Sequence, residues 1–280
     1  MRRVFFIAAH LIPTCCETWL QRMSNRYVIL PYYHMVSDAP TPHVSPLYRH
    51  RTVAEFRADL DWFLSHYEPI RWTDIDVYER AKKPAFCLTF DDGFKEFHTV
   101  VAPILEEKKI PCVCFVNSAF VDNKDLMFRN KEALRVHDID WHKFLQDEQP
   151  YLTSEQIRDL QARGFEFGSH SIDHPHFDNL SIEDQLTQTI DSNKALKTLF
   201  PMPHRLFAFP FGQGNLDSTA IKVHVGTHEA IFGTANLRPS VKNLYNRIWM
   251  EHTSASAKNI IFGEYIREII HQQLDKKQNK

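Results

Sequence analysis

From residue 28 onward, short apolar runs alternate with stretches whose apolar residues recur every three or four positions. The runs at 28–33, 85–90, 111–116, 165–168, 206–210, 230–234 and 248–250 are short and rich in β-branched and aromatic residues, so they read as buried strands. Between them, 53–67 carries Phe56, Leu60, Phe63 and Leu64 at helical spacing. Further helices are expected at about 94–109, at 154–163 with Gly164 as the terminating glycine, from Ser181 onward, near Leu216, and at about 260–274. Ser181 with Asp184 three residues later approximates a capping box. Strand–helix alternation predicts an α/β protein with a parallel sheet covered by helices. Periodicity does not choose between an open sheet and a barrel, but seven or eight such units in one chain suit a closed (β/α) barrel better. The stretch 121–151 is the least regular and is expected to form a long loop or lid over one end.

Residues 1–27 stand apart as an N-terminal extension, and 28–280 is expected to form one domain. Arg2 and Arg3 before the apolar run 4–12 faintly imitate a signal peptide. That run is short, contains His10, and ends at Pro13 without a small-x-small cleavage site. A cytoplasmic location is expected, with export left open. No run of 18 apolar residues exists, so no membrane span is expected.

The 280 residues carry a formal net charge of -2, which offers no electrostatic footprint for nucleic acid. Five cysteines, Cys15, Cys16, Cys87, Cys112 and Cys114, make an odd count with no CxxC pair. Neither a disulfide framework nor a zinc–thiolate site is expected, and a reducing compartment follows. Nothing in the pattern specifies an oligomer.

Parallel α/β proteins bind ligands at the C-terminal ends of their strands, and three polar or turn-forming clusters fall there. The first is Thr89-Phe90-Asp91-Asp92-Gly93. Adjacent carboxylates repel unless a cation or shared proton offsets them. One could bind a metal and the other move protons; alternatively, Asp92 could simply cap the next helix. The second runs from Gly168 to His174, with His170 and His174 four residues apart. In a helical segment they would share a face, and with Asp92 they make a two-histidine, one-carboxylate site with room for water. Asp173 and His176 suit supporting or surface roles. The third is Phe207-Ala208-Phe209-Pro210-Phe211-Gly212, mostly core, with Phe211 placed to form a groove wall.

These three segments, in this order, resemble the first motifs of the polysaccharide deacetylase family, the NodB-like carbohydrate esterases. Thr89 to Gly93 matches the family's Thr-Phe-Asp-Asp-Gly, and His170 to His174 its His-Ser/Thr-x-x-His. Val28 to Ser37, with Tyr33-His34, resembles the entrance strand, and the likeness extends to about His252. It implies a distorted (β/α) barrel of about seven parallel strands and a hydrolase removing acetyl groups from an N- or O-acetylated carbohydrate of a surface polysaccharide or its precursor. Asp91 would be the catalytic base. Asp92, His170 and His174 would bind one divalent ion, usually zinc, with cobalt, nickel or manganese in some members.

The chain also departs from the family. Ala208 stands where the third motif usually carries an arginine that pairs with the catalytic Asp; Arg205, Arg238 and Arg247 are the candidate replacements. The pattern around Ala208 resembles the branch acting on poly-N-acetylglucosamine. The family's late Leu-x-His survives loosely as Met250-Glu251-His252, which makes His252 the candidate general acid and places Met250 against the acetyl methyl group. His34 is a further candidate substrate contact. Two rival readings are a hydrolase of a non-sugar amide or cyclic ureide on the same fold, and a catalytically inactive carbohydrate-binding relative.

Overall fold

Val113, Phe115, Leu206, Ala208 and Phe232 point to one side of a sheet, and Leu88, Phe90, Cys112, Cys114 and Val116 to the other. All are buried, because helices cover the outer face and the sheet curls around the inner one. A computed structural model describes residues 28–78, 83–213, 216, 218–235, 237 and 241–278. Among them, eight short strands form one sheet: β1 (Pro31–Tyr33), β2 (Leu88–Phe90), β3 (Cys112–Val116), β4 (Glu166–Ser169), β5 (Leu206–Ala208), β6 (Ala230–Gly233), β7 (Leu244–Asn246) and β8 (Ile248–Trp249). The spatial order is β8-β1-β2-β3-β4-β5-β6-β7, and every pairing is parallel.

The two ends of that order, β7 and β8, are separated in the chain only by Arg247. Arg247 donates its backbone N–H to Gly233 on β6 (2.8 Å), and Ile248 donates to Leu30 beside β1 (2.8 Å). One run, Leu244 to Trp249, thus closes the barrel, passing from one neighbour to the other at Arg247. Counted as one strand, it gives the expected seven. Its first half, β7, has only three residues and was not apparent from the apolar pattern.

The helices are α1 (Val53–His66), α2 (Ala102–Lys108), α3 (Phe128–Val136), α4 (Trp141–Glu148), α5 (Ser154–Ala162), α6 (Ile182–Leu199), α7 (Ser218–Thr227) and α8 (Ala257–Gln278). Most begin where the sequence says. Thr52 and Thr153 form capping boxes with Glu55 and Gln156, and the Ser181 hydroxyl accepts from the Asp184 N–H. The stretch 121–151 departs from expectation. It contains α3 and α4, short and weakly apolar, whose buried residues join a separate cluster with Met35, Phe94 and Tyr151 over the strand C-termini. No described helix is long and apolar enough to cross a membrane. Cys87, Cys112 and Cys114 are buried free thiols; Cys15, Cys16 and the whole 1–27 extension lie outside the described residues.

One buried ion pair ties the first strand to the closing helix. Arg51 donates to Asp59 (2.9 Å) and to the carbonyls of Thr253 and Ala255, while Asp59 also accepts from the Tyr33 hydroxyl and the Ala257 N–H. Arg51→Ala strands a buried carboxylate and two carbonyls, so it should lower stability by about 3–5 kcal/mol. Urea unfolding checks this; a loss below about 1 kcal/mol would show the network is not structural.

Candidate active site

Alternation along β2 turns Leu88 and Phe90 outward, so Thr89 and Asp91 face the barrel interior. The backbone then reverses. Asp92 (φ 70) and Gly93 (φ 67) both take left-handed conformations. A Cβ on Gly93 would meet the Val116 side chain at 2.7 Å, so only glycine fits. The turn swings Asp92 beside Asp91 instead of letting it cap a helix.

The loop after β4 is equally constrained. Ser171 (φ 78) and His174 (φ 64) are left-handed, so His170 and His174 converge through a tight loop and not along a helix. The Ser171 hydroxyl accepts from the His174 N–H (3.0 Å), and the Ser171 carbonyl accepts from Ser192 on α6 (2.8 Å). Non-glycine residues with positive φ each cost on the order of 1–3 kcal/mol, and persist where surrounding contacts over-determine them. Here they ring one cavity, with Phe211 (φ 57) as a fourth.

Asp92, His170 and His174 each offer a ligand atom within 4.8 Å of the others. Nε2 of His170 lies 3.6 Å from Asp92 Oδ1, and Nε2 of His174 lies 3.5 Å from the same oxygen. His170 Nδ1 donates to the Ala208 carbonyl (2.8 Å), which leaves Nε2 as a lone pair pointing at a carboxylate. Two acceptors facing each other repel unless a cation sits between them. Asp92 Oδ1 is buried and has no hydrogen-bond partner. Burial holds both imidazoles below their ordinary pKa, His174 further down because His170, His34 and Arg129 lie near. Burial pushes the Asp92 carboxyl up, and Asp91 and Glu251 add to the effect. Neutral imidazoles beside an uncompensated buried carboxylate are the donor set a divalent ion requires.

Asp91 has a different environment. Arg247, at the barrel's closing residue, grips it with both arms (2.6 and 2.8 Å) and also reaches Thr89 (3.2 Å). The guanidinium is stacked over Tyr32, 4.4 Å from the ring centroid. Burial alone would raise the Asp91 pKa, but Arg247, then His170 and His34, outweigh it and hold the carboxyl below its usual range. Of the three arginines considered for this pairing, Arg247 fills it. Arg205 binds near Glu229, away from the cavity, and Arg238 is outside the described residues. Ala208 contributes only its carbonyl, which explains how a small residue suffices there.

The cavity has a volume of about 190 Å³ and is walled by Tyr48, Trp249, Phe211 and His34 in addition to the polar groups above. Phe211 stacks on His176, with ring centroids 3.7 Å apart. Asp173 is exposed and bonded to Gln188 (2.8 Å). Two other candidates sit elsewhere. Met250 is fully buried in the outer core. His252 turns Nδ1 to the Trp249 carbonyl (2.6 Å), and neither residue lines the cavity. Alternation past Trp249 puts Met250 in the outer core with Ile248, and Glu251 takes the inward position instead. Its buried carboxylate accepts from the backbone N–H groups of His34 (2.8 Å) and Met35 (2.9 Å) and pairs with His34 Nδ1 (2.6 Å). A buried acid next to a strand-end histidine, 217 residues apart in sequence, carries no local signal.

A family model described as Polysaccharide deacetylase matches residues 78–229, more than half of the chain. The chain belongs to the polysaccharide deacetylase family. Such enzymes are carbohydrate esterases that hydrolyse acetyl linkages, and this member is a hydrolase of that class whose Asp92, His170 and His174 could hold a metal ion. It is 19% identical over 258 residues to the polysaccharide deacetylase-type protein YxkH of Bacillus subtilis, covering 90% of this chain and 81% of that one. It is 27% identical over 156 residues to the poly-beta-1,6-N-acetyl-D-glucosamine N-deacetylase of Escherichia coli, covering 52% of this chain but only 21% of the relative. The Streptococcus pyogenes deacetylase PplD, solved with acetate, superposes with a TM-score of 0.64 at 17% identity, over 85% of this chain and 98% of that one. That likeness speaks for the barrel.

Proposed function

We propose that this polysaccharide deacetylase removes acetyl groups from N-acetylhexosamine units of a surface polysaccharide or its precursor. The observation that carries the reading is the pairing, in one cavity, of an anchored carboxylate (Asp91), a buried cation-binding triad (Asp92, His170, His174), and an acid-paired histidine (His34). Zinc is the proposed ion. When bound, it would supply Lewis acidity, easing ionisation of a water and polarising the acetyl carbonyl. Asp91, held ionised and fixed by Arg247, accepts the proton of the attacking water. The new bond joins that oxygen to the acetyl carbon; the carbon–nitrogen bond breaks, giving acetate and a free amine. The departing nitrogen needs a proton, and the His34 imidazolium provides it, with Nδ1 fixed on Glu251. Trp249, Tyr48 and Phe211 form apolar walls that shield the reacting carbonyl from bulk water.

Burial would draw the His34 pKa down, but Glu251 more than offsets this and raises it to about 9. The folded pKa lies above the free value, so the pair stabilises the fold below pH 6.5 and loses that contribution as pH rises through about 9. Glu251→Gln should therefore move the alkaline limb of N-deacetylation to lower pH. His34→Ala should cut N-deacetylation by roughly a hundredfold or more while sparing an aryl acetate, whose leaving group needs no proton. His252→Ala should have a much smaller effect. If His252→Ala were the variant with that selective loss, the proton-donor role would pass to it.

Acetate release from N-acetylated oligosaccharides, O-acetylated glycans and a cyclic ureide tests the substrate class. Release from N-acetyl sugars is expected; turnover of the ureide alone would replace the reading.

A further inference from the structure

Helix α3 begins at the cavity. Met127, Arg129 and Asn130 all line it, while Phe128 between them is exposed. No side chain caps this nine-residue helix, and its first turn contains no acidic residue. The uncapped N–H groups and the helix dipole therefore leave a positive end at the cavity wall. Asn130, only 1% exposed, has a side-chain nitrogen with no hydrogen-bond partner. The Tyr48 hydroxyl, of a residue lining the same cavity, is likewise buried without one. Unmade hydrogen bonds at buried donors are destabilising, and an oxygen-rich ligand would supply the missing acceptor.

Arg129 carries the same charge sign into the same place. Its guanidinium lies over the Phe211 ring, 5.0 Å from the centroid, and makes no hydrogen bond or ion pair among the described residues. Its neighbours on α3 behave differently: Lys131 pairs with Asp125 (2.6 Å) and Arg135 with Glu132 (2.7 Å). Two of the three carboxylates around the cavity are already matched. Asp91 is neutralised by Arg247, and Glu251 by His34. Asp92 belongs to the triad, and a divalent ion there would more than offset its charge, leaving that of Arg129 in surplus. A neutral acetamido sugar leaves this surplus unanswered.

We propose that the start of α3, with Arg129 and Asn130, is a subsite for an anionic substituent, carboxylate or phosphate, on the sugar being deacetylated or on the unit next to it. This rests on the deacetylase reading and narrows its substrate class to acidic N-acetylhexosamines. Guanidinium is suited to both anions because its parallel N–H groups match their paired oxygens.

Acetate release is to be compared on N-acetylglucosamine, N-acetylglucosamine 6-phosphate and N-acetylglucosaminuronic acid, for the wild type and Arg129→Gln. The two acidic arms separate phosphate from carboxylate. The wild type should favour at least one acidic sugar by tenfold or more in kcat/KM. Arg129→Gln should abolish that preference mainly through KM, and Arg129→Lys should keep part of it. A second readout does not depend on turnover. Saturation-transfer NMR should show glucose 6-phosphate or glucuronate, but not glucose, binding the wild type, and Arg129→Gln should lose the signal. A wild type that prefers the neutral sugar overturns the proposal, as does an equal loss on all three sugars in Arg129→Gln. If no sugar releases acetate, the deacetylase reading fails, while the NMR comparison still decides the subsite.

Discussion

Asp91→Asn is expected to lower deacetylation by about two to four orders of magnitude while leaving the bound metal nearly unchanged. Asparagine keeps the shape of the side chain and one oxygen for Arg247, but it cannot accept the water's proton. The structure separates this residue from the metal ligands. Both Asp91 oxygens are engaged by Arg247, at 2.6 and 2.8 Å, whereas Asp92 Oδ1 has no hydrogen bond and faces two imidazole nitrogens. The substitution also removes the counter-charge of a guanidinium that is 4% exposed, so a fall in stability of a few kcal/mol should accompany the lost activity. Single-turnover kinetics together with metal analysis distinguish the two effects. Loss of the metal in Asp91→Asn would make Asp91 a ligand and exchange the roles of the two carboxylates.

His170→Ala should lose most of one equivalent of divalent metal. Disturbing a partner of a metal ligand commonly costs ten- to a hundredfold in affinity, so removing the ligand itself should cost at least about a hundredfold. His170 is fixed by its bond to the Ala208 carbonyl, and His34, on the same cavity, is committed to Glu251. His176, the next histidine along the loop, is committed to stacking on Phe211. Metal analysis of the purified variant checks the expectation. Stoichiometric metal in His170→Ala would remove the basis for the triad.

The strands and the triad could be read from the chain because each rests on local pattern. Buried parallel strands are continuous apolar runs, and Thr89 to Gly93 and His170 to His174 are contiguous segments. The geometry joining them was less accessible. His170 and His174 share a site through left-handed residues at Ser171 and His174, where helical spacing was the expected cause. The partner of Asp91 was narrowed to three arginines, and only barrel closure at Arg247 selects one. His252 stands in a motif-like neighbourhood, yet alternation past Trp249 turns Glu251 inward and joins it to His34. Such contacts are set by tertiary placement. The same holds for α3 and α4, whose few apolar residues form a stable layer only over Met35, Phe94 and Tyr151. Charged stretches like this one carry too weak a periodicity to announce short helices.

Metal-assisted amide hydrolysis of an acetylated sugar is the reaction proposed for this cavity. The most direct test counts acetate and new primary amines released from an acidic N-acetylated oligosaccharide by the metal-loaded protein, the chelator-stripped protein, and the stripped protein resupplied with zinc. Acetate and amine should appear in equal amounts, disappear on stripping and return with zinc. Acetate release that survives complete metal removal, or no release from any N-acetylated sugar by the loaded protein, would contradict it.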